Sequence, residues 1–151
     1  MKFYLTVLVV LSLSILAMAG KTYTSDPLTG LPVIPTPDRL HLGNEPQKIP
    51  STMCKSKMQI DFFSTDGIKF NDTVAWYNAR LSGFKHIHNY VQDRAHDAFY
   101  KPDGTVMVSI TADRGKDGEN VDTHSVSFVT FQPPVSEQII IGSNSGHTVC
   151  P

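Results

Sequence analysis

The chain is poor in cysteine and tryptophan, with two and one among 151 residues, and no sign of charge dominates: 13 Lys or Arg stand against 14 Asp or Glu. Two cysteines without a Cys-x-x-Cys spacing give neither a thiol redox motif nor a zinc finger. The near balance of charge removes the basic field or stripe that marks a strong nucleic-acid binder. Beyond the N-terminal segment no apolar run is long enough to span a bilayer. The longest, Ile139-Ile140-Ile141, is strand-sized and a polar tail follows it, so neither a membrane anchor nor a lipid-anchor signal is expected. HExxH and cupin-like runs are missing. Gly142-Ser143-Asn144-Ser145-Gly146 is not the Gly-x-Ser-x-Gly elbow of serine hydrolases. Asp117-Gly118-Glu119-Asn120 lacks the oxygen-ligand pattern of an EF-hand. No cofactor and no metal are expected from these absences, and no internal repeat is evident.

What is present first is an export signal. Lys2 supplies a positive start, an apolar stretch runs from Phe3 through Ile15, and Ala17-Met18-Ala19 has the small-x-small spacing that signal peptidase accepts. Residues 1–19 are therefore read as a signal peptide cleaved before Gly20, and the expected location is extracellular. In that compartment an even pair of cysteines is most simply one disulfide, Cys54 to Cys150. Closing a loop of roughly a hundred residues is worth about 4–5 kcal/mol in the chain-entropy account. Asn71-Asp72-Thr73 fits the N-glycosylation acceptor rule, which requires Asn71 to be exposed.

The mature chain divides in two. Residues 20–53 form a proline-rich arm, with Pro27, Pro32, Pro35, Pro37, Pro46 and Pro50 denying it long regular pairing. Residues 54–151 read as a compact α+β domain, expected to be monomeric: one short helix packed on an antiparallel sheet, braced by the disulfide. Met58, Ile60 and Phe62 alternate with polar neighbours and predict a half-buried strand. Asn71 or Asp72 is placed to cap a helix running to about Ser82, with Val74, Tyr77 and Leu81 inward, Trp76 at their edge and Gly83 as its stop. Phe84, His86, His88 and Tyr90 share one strand parity. Pro102-Asp103-Gly104 predicts a hairpin between Ala95–Lys101 and the run from Thr105 to Thr111. Val121–Gln132 and Ser136–Ile141 are read as further strands.

Six histidines carry the case for chemistry. His86 and His88, two apart, emerge on one strand face. With a third ligand such as His96, Asp97, Asp113 or His124 they would suit zinc, but nothing in the sequence fixes that ligand. Cleavage of RNA through its 2′-hydroxyl needs a base, an acid and a cation at phosphorus. The catalytic candidates are His86, His88, His124 and His147 with Arg94 or Arg114, and Asp97 is the acid placed to orient an imidazole. The loop from 113 to 120, with Asp113, Arg114, Lys116, Asp117 and Glu119, offers a charged recognition surface.

Signal peptide, compact α+β domain and a bridge from an early cysteine to one near the end together resemble the small secreted effectors of filamentous plant-pathogenic fungi. In architecture they are similar to the ribonuclease-like class of those effectors. The features that carry the resemblance are Ala17-Met18-Ala19, Cys54, the Thr73–Ser82 helix, the later strands and Cys150. Where that class commonly has an aromatic-x-Cys near the mature start, this chain has Thr52-Met53-Cys54. The resemblance implies a secreted interaction protein that binds a host protein or glycan, as a virulence effector outside or inside host cells. A secreted ribonuclease or other small hydrolase acting on RNA is the alternative. The secreted protein is predicted to begin at Gly20, to lack the two thiol hydrogens in non-reducing mass spectrometry, and to lose mass at Asn71 on enzymatic deglycosylation.

Overall fold

Alternating side chains and three tight reversals build most of the molecule. A computed structural model describes residues 23–35, 46–65, 67–113 and 123–151. The expected signal peptide, Arg114 and most of the 113–120 loop lie outside the described residues.

The first hairpin joins β1 (Gln47–Met53) to β2 (Ser56–Thr65), in register from Met53 opposite Ser56 to Gln47 opposite Phe62. Cys54 makes its turn with φ of 54°, a conformation uncommon outside glycine. The second hairpin joins β3 (Lys85–Val91) to β4 (Arg94–Tyr100) through Gln92 and Asp93 alone. Both residues have positive φ, as a two-residue turn of this hand requires. β4 then reverses into β5 (Val106–Ala112) through the predicted Pro102-Asp103-Gly104 turn. There the Asp103 carboxyl accepts from the amide and hydroxyl of Thr105, at 3.0 and 2.6 Å. Gly104 is required: a Cβ would sit 1.8 Å from the carbonyl oxygen of Val135. The last strand, β6 (His124–Gln132), inserts between β2 and β5. The result is one antiparallel six-stranded sheet in the order β1-β2-β6-β5-β4-β3.

Both faces of the sheet are covered. On one, Phe63, Phe99, Val108, Ile110, Val126 and Phe128 pack beneath α1 (Phe70–Asn78) and the arm residues Val33 and Ile34. The helix turns Phe70, Thr73 and Tyr77 inward, while Val74 and Trp76 pack at the margin. It starts earlier than predicted, because burial of the Phe70 ring draws that residue into the first turn and leaves Lys69, not Asn71 or Asp72, at the N-cap. It also ends at Asn78, short of Ser82. Leu81 is buried as expected, but beyond the last turn. Asn71 is exposed on the first turn.

The second face carries Met58, Ile60, Ala98, Met107, Val129 and Phe131 beneath Val135 and α2 (Glu137–Asn144). The segment Ser136–Ile141, expected as a strand, thus forms the N-cap and first turns of a helix. Three β-branched residues favour a strand locally, yet only a helical turn buries Ile139 and Ile140 together while leaving Ile141 at 44% exposure. Tertiary packing decides the outcome. Glu137 ties the start of α2 to the sheet, accepting at 2.6 Å from both the Lys85 ammonium and the Tyr100 hydroxyl. Burial, reinforced by that bond to Glu137, pushes the Tyr100 phenol up to about 12.

The arm is more ordered than its prolines suggest. A small hairpin sets Ser25 against Pro32, and Tyr23 meets Phe63 edge-on at 6.4 Å. Ile34 donates its amide to the Tyr77 hydroxyl at 3.3 Å. Pairing also begins before Cys54, since β1 lies within the segment read as arm. The disulfide joins Cys54 to Cys150 with Cα atoms 5.3 Å apart, fastening the tail after α2 to the first hairpin turn. Replacing both cysteines by serine is expected to lower unfolding free energy by about 2–5 kcal/mol in denaturant titration. An unchanged midpoint would show that the bridge contributes nothing.

Candidate functional site

Parity along β3 places His86, His88 and Tyr90 on the face that also carries Asp97 and Phe99 of β4. The register sets His88 opposite Asp97 and His86 opposite Phe99. Asp97 is buried, 1% exposed, in a strand whose neighbouring positions are Ala95, Ala98 and Phe99. A carboxyl group in such surroundings needs hydrogen-bond donors, and the two imidazoles supply them. His86 Nε2 bonds one carboxyl oxygen at 2.5 Å and His88 Nδ1 bonds the other at 2.8 Å. The His86 ring lies flat on Phe99, with centroids 4.4 Å apart and planes within 7°. His88 meets Tyr90 edge-on at 5.2 Å.

One buried acid therefore orients two rings that reach the surface. Their side chains are 34% and 43% exposed. The bonded nitrogen differs between them, so the nitrogen turned away from Asp97 is Nδ1 in His86 and Nε2 in His88. Rings fixed in this way can exchange protons with a bound group or hydrogen-bond it in a defined geometry.

The other sequence candidates lie elsewhere. His124 is a core residue, 1% exposed, bonded through Nε2 to the Thr73 hydroxyl at 2.7 Å and packed edge-on against Phe70. His147 belongs to the exposed tail, and its amide donates to Gly142 at 2.8 Å. Arg94 precedes Ala95 on β4, so its parity puts it on the opposite face from the histidine pair. Arg80 folds over Trp76, 4.1 Å from the ring centroid. Arg114 falls outside the described residues. Of the residues proposed for RNA cleavage, the pair His86 and His88 is brought together, with Asp97 in the orienting role.

His96 lies on the second face, its Nε2 2.6 Å from the Ser109 hydroxyl. Burial pulls its pKa below the ordinary imidazole value, against the opposing pull of Asp97. Among the described residues, no three His, Cys, Asp or Glu side chains gather around a metal-sized space.

No protein-family model, curated protein or solved structure matches the chain.

Two acids escaped sequence reasoning. Met58, Ile60 and Phe62 suggested the buried parity of β2, yet Asp61, Phe63 and Thr65 are its most buried positions. Both faces are covered, so apolar alternation does not identify the deeper one. Asp61 and the arm residue Asp26 are 3% and 1% exposed, and each has a buried carboxyl oxygen to which no group among the described residues donates. For the histidine pair, nitrogen-15 NMR is expected to show His86 protonated at Nε2 and His88 at Nδ1. Asp97→Ala should release both rings to the tautomer mixture of exposed histidine and cost about 1–3 kcal/mol of stability. Retention of both tautomers in that variant would contradict the carboxyl-centred arrangement.

Proposed function

We propose that this protein is a secreted, non-enzymatic interaction protein, a virulence effector that binds a host protein or glycan. The observation that carries the reading is the strip His86-His88-Tyr90 on β3. Two imidazoles held by one buried carboxyl and an aromatic ring at 47% exposure form a surface whose rotamers are set before a partner arrives. Such pre-organisation reduces the ordering cost of binding, and tyrosine adds contact area with few torsions to freeze. The cation needed to stabilise charge on phosphorus is not supplied by Arg94, whose strand parity directs it to the other face. A disulfide-braced sheet suits recognition outside the cytosol.

The rival reading, a secreted ribonuclease or other small hydrolase, is favoured by the same carboxyl-oriented imidazoles. The disulfide-bonded protein is expected to retain a host component on an affinity matrix and to leave single-stranded RNA intact. The combined change His86→Ala, His88→Ala and Tyr90→Ala, in protein that still folds by circular dichroism, should weaken retention by about tenfold or more. RNA cleavage without added metal, abolished by His86→Ala or His88→Ala, would replace binding by catalysis as the function. Failure to retain any host component would overturn the proposal.

A further inference from the structure

The arm and the sheet meet through two acids. Asp26 begins the turn of the arm hairpin: its amide donates to the Leu31 carbonyl and its carbonyl accepts from the Gly30 amide, both at 2.8 Å. Its Oδ2 accepts from the amide and hydroxyl of Thr29, at 2.7 and 2.6 Å. Asp61 comes from β2, in register with Lys48 on one side and Phe128 on the other. The two acids are neighbours: Asp61 lines the cavity whose arm wall, Pro27 and Leu28, directly follows Asp26, and the Asp61 carboxyl raises the pKa of Asp26. Oδ1 of Asp26 and Oδ2 of Asp61 are shut off from solvent, and among the described residues no N–H or O–H group donates to either. Two ionised carboxylates repel at such a contact and leave both oxygens without a donor. A single proton between them removes one charge and supplies the missing donor.

We propose that Asp26 and Asp61 share one proton, and that this proton latches the N-terminal arm onto the sheet, so that the arm docks in acid and loosens as the proton leaves. The Asp26 carboxyl is raised from 3.8 to about 6. Burial is the largest cause, the Thr29 hydrogen bonds oppose it, and Asp61 adds to it. A raised carboxyl pKa means that the docked arm binds the proton more tightly than the released arm does. Docking is therefore strongest below the ordinary carboxylate value. It weakens about tenfold per pH unit as pH rises toward about 6, then levels off roughly a hundredfold weaker.

The charged and titratable groups around the pair act in known directions. Lys48, on the same face of β1, is exposed, and its charge favours the ionised pair through a solvent-screened interaction. In the arm, Tyr23 meets Phe63 edge-on. From α1, Tyr77 accepts the Ile34 amide. Further along the face, His124 is engaged with Thr73. The latch also governs a cavity of about 330 Å³ between the arm and the first hairpin, where Pro27 and Leu28 form one wall and Lys48, Pro50, Gln59 and Asp61 lie opposite. Release of the arm removes that wall.

The test uses the full disulfide-bonded protein. Hydrogen-exchange protection of the Val33 and Ile34 amides, corrected for intrinsic rates and referenced to Ile110 in β5, should fall roughly a hundredfold between pH 4 and pH 7. Asp26→Asn places a neutral donor beside Asp61 and should keep the arm docked at both pH values. Asp61→Asn makes the reciprocal change and should do the same. Carbon-13 titration of the Asp26 carboxyl in the unaltered protein should show a midpoint near 6. Constant wild-type protection across this range would overturn the latch. So would a pH dependence that survives in either variant, or an Asp26 midpoint near 4 with the arm still docked. If both variants fail to fold, the wild-type titration and exchange decide the matter.

Discussion

Phe128 is packed between Phe63 and Tyr77 on one face of β6, while the next residue, Val129, faces the layer beneath Ile139 and Ile140. This two-sided burial of the central strands is the constraint on which the remaining architecture depends. A sheet with one wet face would need only one covering layer. Here each face requires its own, and neither helix is long enough to cover a six-stranded sheet. The arm completes the first layer and the disulfide-anchored tail borders the second. The same demand fixes the edges: β1 and β3 are the most exposed strands because the coverings converge on the middle.

That central burial explains which parts of the sequence were legible. Turn chemistry is local, so Pro102-Asp103-Gly104 announced its hairpin. Parity is local too, and it placed His86, His88 and Tyr90 on one face. The conformation of Ile139-Ile140-Ile141 is settled by what lies across from it, and β-branched propensity pointed the wrong way. The proline-rich arm misled in the opposite sense. Val33 and Ile34 are two apolar residues among prolines, too few to form a pattern, yet both are 3% exposed. The pairing of Asp97 with two imidazoles was only half legible. Asp97 stood out as an orienting acid, but its strand partner depends on the Gln92-Asp93 turn, which carries no glycine to announce it. Asp26 and Asp61 were invisible because isolated aspartates normally mark solvated positions.

The two acid-centred arrangements use the same physical rule to different ends. Asp97 is buried but receives two donors from side chains that touch solvent, so its burial holds a surface in place. Asp61 is buried against another acid, so its burial makes an interface depend on a proton. Geometry near the surface fixes how two rings are presented, whereas the proposed latch beneath the arm would control which surface exists. The exposed Asn71 stands on α1, a separate element from the β3 strip, so a glycan there would be carried by the helix rather than by the strand that bears the histidines.

The insertion of β6 beside β2 affects how the chain finds its fold. The hairpins β1–β2, β3–β4 and β4–β5 close over short reversals, but the β2–β6 seam brings Thr65 to His124 across 59 positions. Closing that distance has the larger entropic cost and gives the sheet a high contact order at one place. Cys54 and Cys150 flank both halves of the seam. Once oxidised, residues 54–150 of the unfolded chain form a covalent ring that contains β2 and β6. The bridge then shortens the conformational search for the least local strand pairing among the described residues, an effect exerted before the sheet itself has formed.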